Sequence, residues 1–122
     1  MNQSLHLPSL LLTGSTSITS PKHLLLALTR SSFPSPATIL TRGHSGVDAL
    51  AIAYANRHNL TIKLFPAQWK IYGREAESIR ASTISSYATH AIIIWELEDE
   101  GLHAVLQACM VREVPTYVYV LS

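Results

Sequence analysis

The sequence predicts a three-layer α/β/α sandwich built on about five parallel strands with four helices. Five short apolar, β-branched runs are separated by four helix-length segments. The runs are nearly continuous in apolar character, as strands covered on both faces are. Small and polar residues gather where strands hand over to helices, the side on which open α/β sheets bind ligands.

The first run, Ser9–Thr13, leads through a polar turn to Ser20-Pro21, an N-cap followed by proline at the first helical position, where its missing N–H costs nothing. Leu24, Ala27 and Leu28 then share one helical face, and the helix is expected to end by Ser31. The segment "SSFPSP" at 31–36 is too short to separate two domains. The second strand, Thr38–Thr41, enters the helix of clearest period, on which Val47, Leu50, Ala51, Tyr54, Ala55 and His58 recur at spacings of three and four. A third strand, Thr61–Phe65, precedes a loop of about ten residues and a helix over roughly Glu75–Tyr87 that is rich in Ser and Thr. The fourth strand, His90–Trp95, is followed by a helix with the stripe Leu102, Val105, Leu106, Cys109 and Met110, and Thr116–Leu121 forms the fifth. Right-handed crossovers would make this a doubly wound, Rossmann-like fold.

A length of 122 residues with 48% hydrophobic content fits a single domain over 1–122. Nine basic against eight acidic residues leave a net charge of +1, so no bulk field points to duplex nucleic acid or an anionic membrane. The single cysteine, Cys109, allows no internal disulfide and no CxxC metal site, which fits a reducing compartment. The beginning "MNQSLHLPSLLLTG" lacks a basic region, and its apolar run Leu10–Leu12 is far below the ~20 residues that cross a bilayer. The chain therefore reads as cytoplasmic, with no membrane partner. The six histidines show no HxxxH or HExxH spacing, so no metal site is expected. Neither GxGxxG nor GxxxxGK[ST] occurs, and no cofactor is expected.

Four segments hold the candidate chemistry. In "TGSTSIT", Gly14 lets the backbone approach a ligand, and the hydroxyls of Ser15, Thr16 and Ser17 can meet phosphate or ribose or can simply solvate a turn. In "TRGHSGVD", Gly43 and Gly46 bracket His44-Ser45 at a strand-to-helix junction, where free amides face an anion and Arg42 or His44 adds charge. Asp48 lies in the first helical turn, as a ligand contact or as ordinary support of the helix dipole. "FPAQWKIYGREAESIR" supplies Trp69, Lys70, Arg74, Glu75 and Arg80. Its aromatics and bases could wall a planar, anionic ligand, or Trp69 could plug the core edge and Arg80 lie in solvent. "ELEDEGLH" places Glu96, Glu98, Asp99 and Glu100 ahead of the last helix, where they could interact with its N-terminal dipole or, for most of them, form a solvated loop.

Read together, "TGSTSIT", "GHSGVDALAIAYA", "FPAQW", "AESIR" and "EGLHAVLQA" resemble the SLOG superfamily, in particular its small YspA-like branch, over about residues 10–121. The resemblance implies a Rossmann-like fold that binds nucleotides or nucleotide-derived molecules, ADP-ribose-like signals among them, and it points to homo-oligomers. Its ligand-facing positions would be Gly14, Ser15, Gly43, Gly46, Asp48, Trp69, Arg80 and Gly101. Related branches include phosphoribohydrolases and DNA-processing proteins. Here the family's Ala-Gly is Ala76-Glu77, its Asn after the arginine is Ala81, and its late Gly-Thr is Gly101-Leu102. The glutamate that phosphoribohydrolases carry beyond Gly-Thr is absent from "LHAVLQ". The expected function is thus a nucleotide-ligand sensor or sequestering protein. The alternatives are a nucleoside-monophosphate phosphoribohydrolase, with Asp48 or Glu75 as candidate catalytic acids and Glu77 as a further acid that could substitute, and a single-stranded DNA binder using Arg42, Lys70, Arg74 and Arg80.

Overall fold

The computed structural model describes residues 7–96 and 99–121. Its frame is a five-stranded sheet in the order β3-β2-β1-β4-β5, every neighbouring pair parallel. The strands are β1 (Ser9–Gly14), β2 (Thr38–Thr41), β3 (Thr61–Leu64), β4 (His90–Trp95) and β5 (Thr116–Val120). Four long helices alternate with them: α1 (Pro21–Ser31), α2 (Val47–Arg57), α4 (Ala76–Tyr87) and α5 (Glu100–Val111). A single helical turn, α3 (Trp69–Tyr72), and a 3₁₀ turn at Gly73–Glu75 occupy the segment expected as plain loop. This is the Rossmann-like α/β/α arrangement the sequence predicts.

Alternation along β1 shows how the layers form. Leu10 and Leu12 face a core completed by Leu24 and Ala27 of α1 and by Val47, Ala51 and Ala55 of α2. Leu11 faces the other core, with Ala81 and Ile84 of α4 and Leu102, Val105 and Cys109 of α5. A period-two strand needs both faces covered when both sets are apolar, and two helices on each side supply the cover.

The Ser20 hydroxyl accepts from the Lys22 amide at 3.3 Å, and Pro21 opens α1 as predicted. Two helix-stripe expectations are corrected. His58 lies beyond the end of α2 and is exposed, because the helix stops at Arg57 and Asn59 turns the chain at φ 56°. Met110 is 67% exposed, since α5 turns only Leu102, Val105 and Cys109 fully onto the sheet. Among the described residues, no helix is long and apolar enough to cross a membrane, and no group of three or more His, Cys, Asp or Glu could hold a metal ion.

The chain steps from β1 outward to β3, then crosses back to β4 on the other side of β1. β1 and β4 therefore flank the topological switch point, the place where open α/β sheets bind their ligands.

Candidate ligand-binding site

At the carboxyl end of β2 the chain leaves the sheet at Arg42, whose side chain turns inward and exposes no surface. Its Nε donates to the Thr13 hydroxyl at 2.8 Å, and its Nη2 donates to the Gly14 carbonyl at 3.1 Å. Asp48, also fully buried, lies 3.4 Å from Arg42 Nε. The Asp48 carboxylate accepts the Thr13 hydroxyl on one oxygen and the His44 amide, at 3.0 Å, on the other. Thr13 thus accepts from the guanidinium and donates to the carboxylate. A buried charge pair is tolerated when its remaining lone pairs and protons are also engaged, and these bonds do that.

The glycines let the bends close. A Cβ on Gly14 would strike the Ile94 carbonyl and, at 2.7 Å, the Val47 side chain. Gly46 has φ +73°, and a Cβ there would strike the Ser15 carbonyl and the Thr16 backbone at 2.5 Å. The bends after β1 and β2 interlock accordingly: the Val47 amide donates to the Ser15 carbonyl at 3.3 Å, and the Ser15 amide donates to the Ile94 carbonyl at 2.9 Å. The Ser15 hydroxyl accepts from the Glu96 amide at 2.8 Å. Gly14, Ser15 and Gly46 are buried and their geometry serves the junction itself. Thr16, Gly43 and Ser45 are exposed beside it and His44 is half-buried. Among the described residues, the amides of Thr16, Ser45 and Gly46 donate no hydrogen bond.

Arg80 reaches this cluster from α4. Only 5% of it is exposed, so it is no solvated surface residue. Its Nη2 donates to Glu77 Oε1 at 2.5 Å, and its Nη1 lies 3.2 Å from His44 Nε2. A guanidinium only donates, so His44 Nε2 accepts and the ring proton sits on Nδ1. Burial lowers the His44 pKa, and the Arg42 charge lowers it further. The imidazole is neutral near pH 7.

Gly101, the second residue of α5, completes the enclosure. A Cβ there would lie 2.8 Å from Arg42 Nη1, 3.1 Å from Glu77 Oε2 and 3.2 Å from Asp99 Oδ1. The glycine therefore makes room for Arg42. Asp99 caps α5, accepting the amides of Gly101 at 2.9 Å and Leu102 at 3.2 Å, so of the four acids it is one that serves the helix N-terminus and not a solvated loop. Glu96 and Glu100 are exposed, and Glu98 lies outside the described residues. Three buried polar atoms have no partner among the described residues: Thr41 Oγ1, Arg42 Nη1 and Arg80 Nε.

Arg80 also lines a cleft of about 310 Å³, formed by Leu64, Phe65 and Pro66 after β3, by Tyr72, and by Ile79 of α4. Trp69 is 54% exposed on α3, so it does not plug the core. Lys70, Arg74 and Glu75 are exposed, and no hydrogen bond or ion pair among the described residues joins their side chains to the Arg42 cluster. Of the predicted set, the structure brings together Gly14, Ser15, Arg42, His44, Gly46, Asp48, Arg80 and Gly101. It leaves Trp69 and Arg74 apart from that cluster. Sequence reasoning missed Thr13 and gave Glu77 only a passing place, although Glu77 and Arg80 stand at the i,i+3 spacing of a helical ion pair.

Fold and cluster define a doubly wound α/β protein with a buried polar cluster where β1 and β2 give way to their helices and an open cleft beside it, between β3 and α4. No family model, no curated protein and no solved structure matches the chain.

Proposed function

We propose that this protein binds a nucleotide or nucleotide-derived small molecule at the carboxyl ends of its strands, as a sensor or sequestering protein of the SLOG type. The observation that carries the reading is Arg80: a guanidinium almost wholly buried at that end of the sheet, with no partner at Nε among the described residues, on a side chain that lines a cleft with aromatic walls. Next to it the Gly43–Gly46 turn heads α2, where amides and the helix dipole favour an anion. A phosphate at this turn and a ring in the cleft would be neighbours, because Arg80 bonds His44.

Binding is preferred to N-glycosidic hydrolysis. Asp48 is enclosed by Thr13, Arg42 and His44, Glu77 is held by Arg80, and Glu75 is exposed outside the cluster, so none of the three is free to move a proton there. Single-stranded DNA is disfavoured because Arg42 and Arg80 are each held against a carboxylate, and neither offers a row of free cations to a backbone. A homo-oligomer is proposed through β5, an edge strand reading "TYVYV" with Val118 and Val120 exposed and no charge or proline to protect it.

The test is mass spectrometry of small molecules released when the purified protein is denatured, followed by incubation with AMP, other nucleoside monophosphates and ADP-ribose. Release of a nucleotide, or saturable binding without free base, is expected. Absence of any binding would end the reading, and turnover to free base would replace it with the hydrolase.

A further inference from the structure

We propose that His44 couples ligand binding to proton uptake: its neutral ring rests on Arg80 while the site is empty, and its protonated ring turns to the anionic part of the ligand at the Gly43–Gly46 turn. The proposal rests on the nucleotide reading above and adds how that site is regulated. Arg80 Nη1 lies 3.2 Å from His44 Nε2, and the ring nitrogen is the acceptor. Protonation puts an N–H on that nitrogen, so donor then faces donor and one positive charge faces another. Arg80 is only 5% exposed and is held by Glu77, whereas His44 is half-buried at a bend, so it is the imidazole that gives way.

The charges around the ring give the switch its direction. Four charged side chains act on it: Arg42 at the end of β2, Asp48 of α2, and Arg80 and Glu77 of α4. They form two ion pairs, Arg42 with Asp48 and Arg80 with Glu77, so together they add no net charge. Imidazole is the side chain whose ordinary pKa falls between about pH 5 and 8, so His44 is the member of this group that can carry a change. Burial first and the Arg42 charge second hold its pKa down in the empty site, and the ring starts neutral. In that state the turn meets an anion only with the amides of Ser45 and Gly46, which donate to nothing among the described residues. A protonated His44 adds a positive charge within the turn itself. A bound phosphate in turn favours the protonated ring, so ligand and proton each strengthen the binding of the other.

The local backbone lets the side chain move while the turn stays. The His44 amide donates to Asp48 at 3.0 Å, and Gly46 is fitted against Ser15 and Thr16. Next to the ring, a Cβ on Gly43 would meet nothing nearer than Leu64 Cδ2 at 3.9 Å, so the turn is open there.

Calorimetry on the full chain with ADP-ribose, AMP and GMP as probes tests this, with folding checked by circular dichroism at each pH. The pyrophosphate of ADP-ribose is esterified at both ends and keeps its charge throughout, so its pH dependence belongs to the protein. Its affinity is expected to rise about fivefold or more from about pH 7.5 to about pH 5.5, and binding at about pH 6 should take up a proton, read from the dependence of the heat on the buffer's ionisation enthalpy. For AMP and GMP, whose phosphate titrates too, the wild-type slope is read against that of His44→Gln. The glutamine can accept from Arg80 but cannot ionise, so its ADP-ribose profile should be flat and free of proton uptake. Imidazole NMR, with the His44 signal assigned by its loss in His44→Gln, should show the ring pass from the Nδ1–H tautomer to the doubly protonated form on adding nucleotide at about pH 6. A wild-type slope no steeper than that of His44→Gln, or a His44 ring that stays neutral in the complex, would each overturn the proposal while leaving nucleotide binding intact. If none of the three probes binds at any pH, the nucleotide reading itself falls, and this inference with it.

Discussion

Arg42 Nε lies 3.4 Å from the Asp48 carboxylate, and neither side chain exposes any surface. The pair ties the end of β2 to the first turn of α2, and Thr13 joins both to β1. Removing one partner strands the other charge in a dry interior, which costs roughly 3–5 kcal/mol. Asp48→Ala is expected to lower the unfolding free energy in urea by that amount. Arg42→Met combined with Asp48→Ala should cost clearly less than the two single changes added, because the double variant leaves no lone charge. Strict additivity in the cycle would show that the pair is not coupled.

Gly46 and Gly73 share one backbone conformation, φ/ψ of 73/−130° and 55/−129°. Their surroundings differ: a Cβ on Gly46 would enter the Ser15–Thr16 backbone, and one on Gly73 meets nothing within 4 Å. Gly73→Ala should therefore carry only the backbone strain, about 1–3 kcal/mol, and remain folded. Gly46→Ala should lose far more or fail to fold. Equal thermal shifts for the two variants would contradict the interlocked bends.

His44 gives the protein a pH dependence of defined sign. Its pKa in the folded state lies below the ordinary 6.5, through burial first and the Arg42 charge second, so the unfolded chain binds the proton more readily. Stability is then fully present above the unfolded value and is lost as pH falls from about 6.5 through the lowered folded pKa. The melting temperature should drop over that interval more steeply in the wild type than in His44→Gln, whose carbonyl can still accept from Arg80. Parallel curves for the two proteins would remove His44 as the source.

Cys109 is buried within the α4–α5 core, and burial raises its thiol pKa. The thiolate is the reactive form, so Cys109 should react with a disulfide reagent such as DTNB only as fast as the protein opens. The reaction is expected to be at least a hundredfold slower than in 6 M guanidinium chloride. A fast reaction under native conditions would mean that α5 lifts off the sheet readily.

Val120 is 66% exposed on β5. If that edge joins two copies, Val120→Lys should convert the assembly to monomers in light scattering, with the melting curve otherwise kept. A wild-type protein already monomeric at high concentration would dispose of the oligomer.

Strand and helix order was legible because each element's apolar period is local: the predicted and observed bounds of β2 and β4 coincide, and α1 opens at Ser20-Pro21. Members of the buried polar cluster were legible at Arg42, His44 and Asp48, polar residues placed where β2 gives way to α2, while Arg80 joins them from within α4. What the sequence could not reveal was direction. Nothing local says that Arg42 folds inward to Thr13, 29 residues away, instead of outward to a ligand. The same holds for Ser15, whose hydroxyl meets the Glu96 amide 81 positions on. For Trp69 two readings stood open, a ligand wall and a core plug, since a large apolar side chain carries no mark of the surface turn that holds it out.

The pairing of β1 with β4 also governs how the molecule assembles in time. Ser9 and Thr89, 80 positions apart, are joined at the start of that ladder, so the central seam closes only after most of the chain exists. During synthesis the Leu10–Leu12 segment must wait for Ile92–Ile94 to leave the ribosome, and refolding should be slow for a protein of this size. The same delay makes β1 the segment that a holding chaperone would meet first.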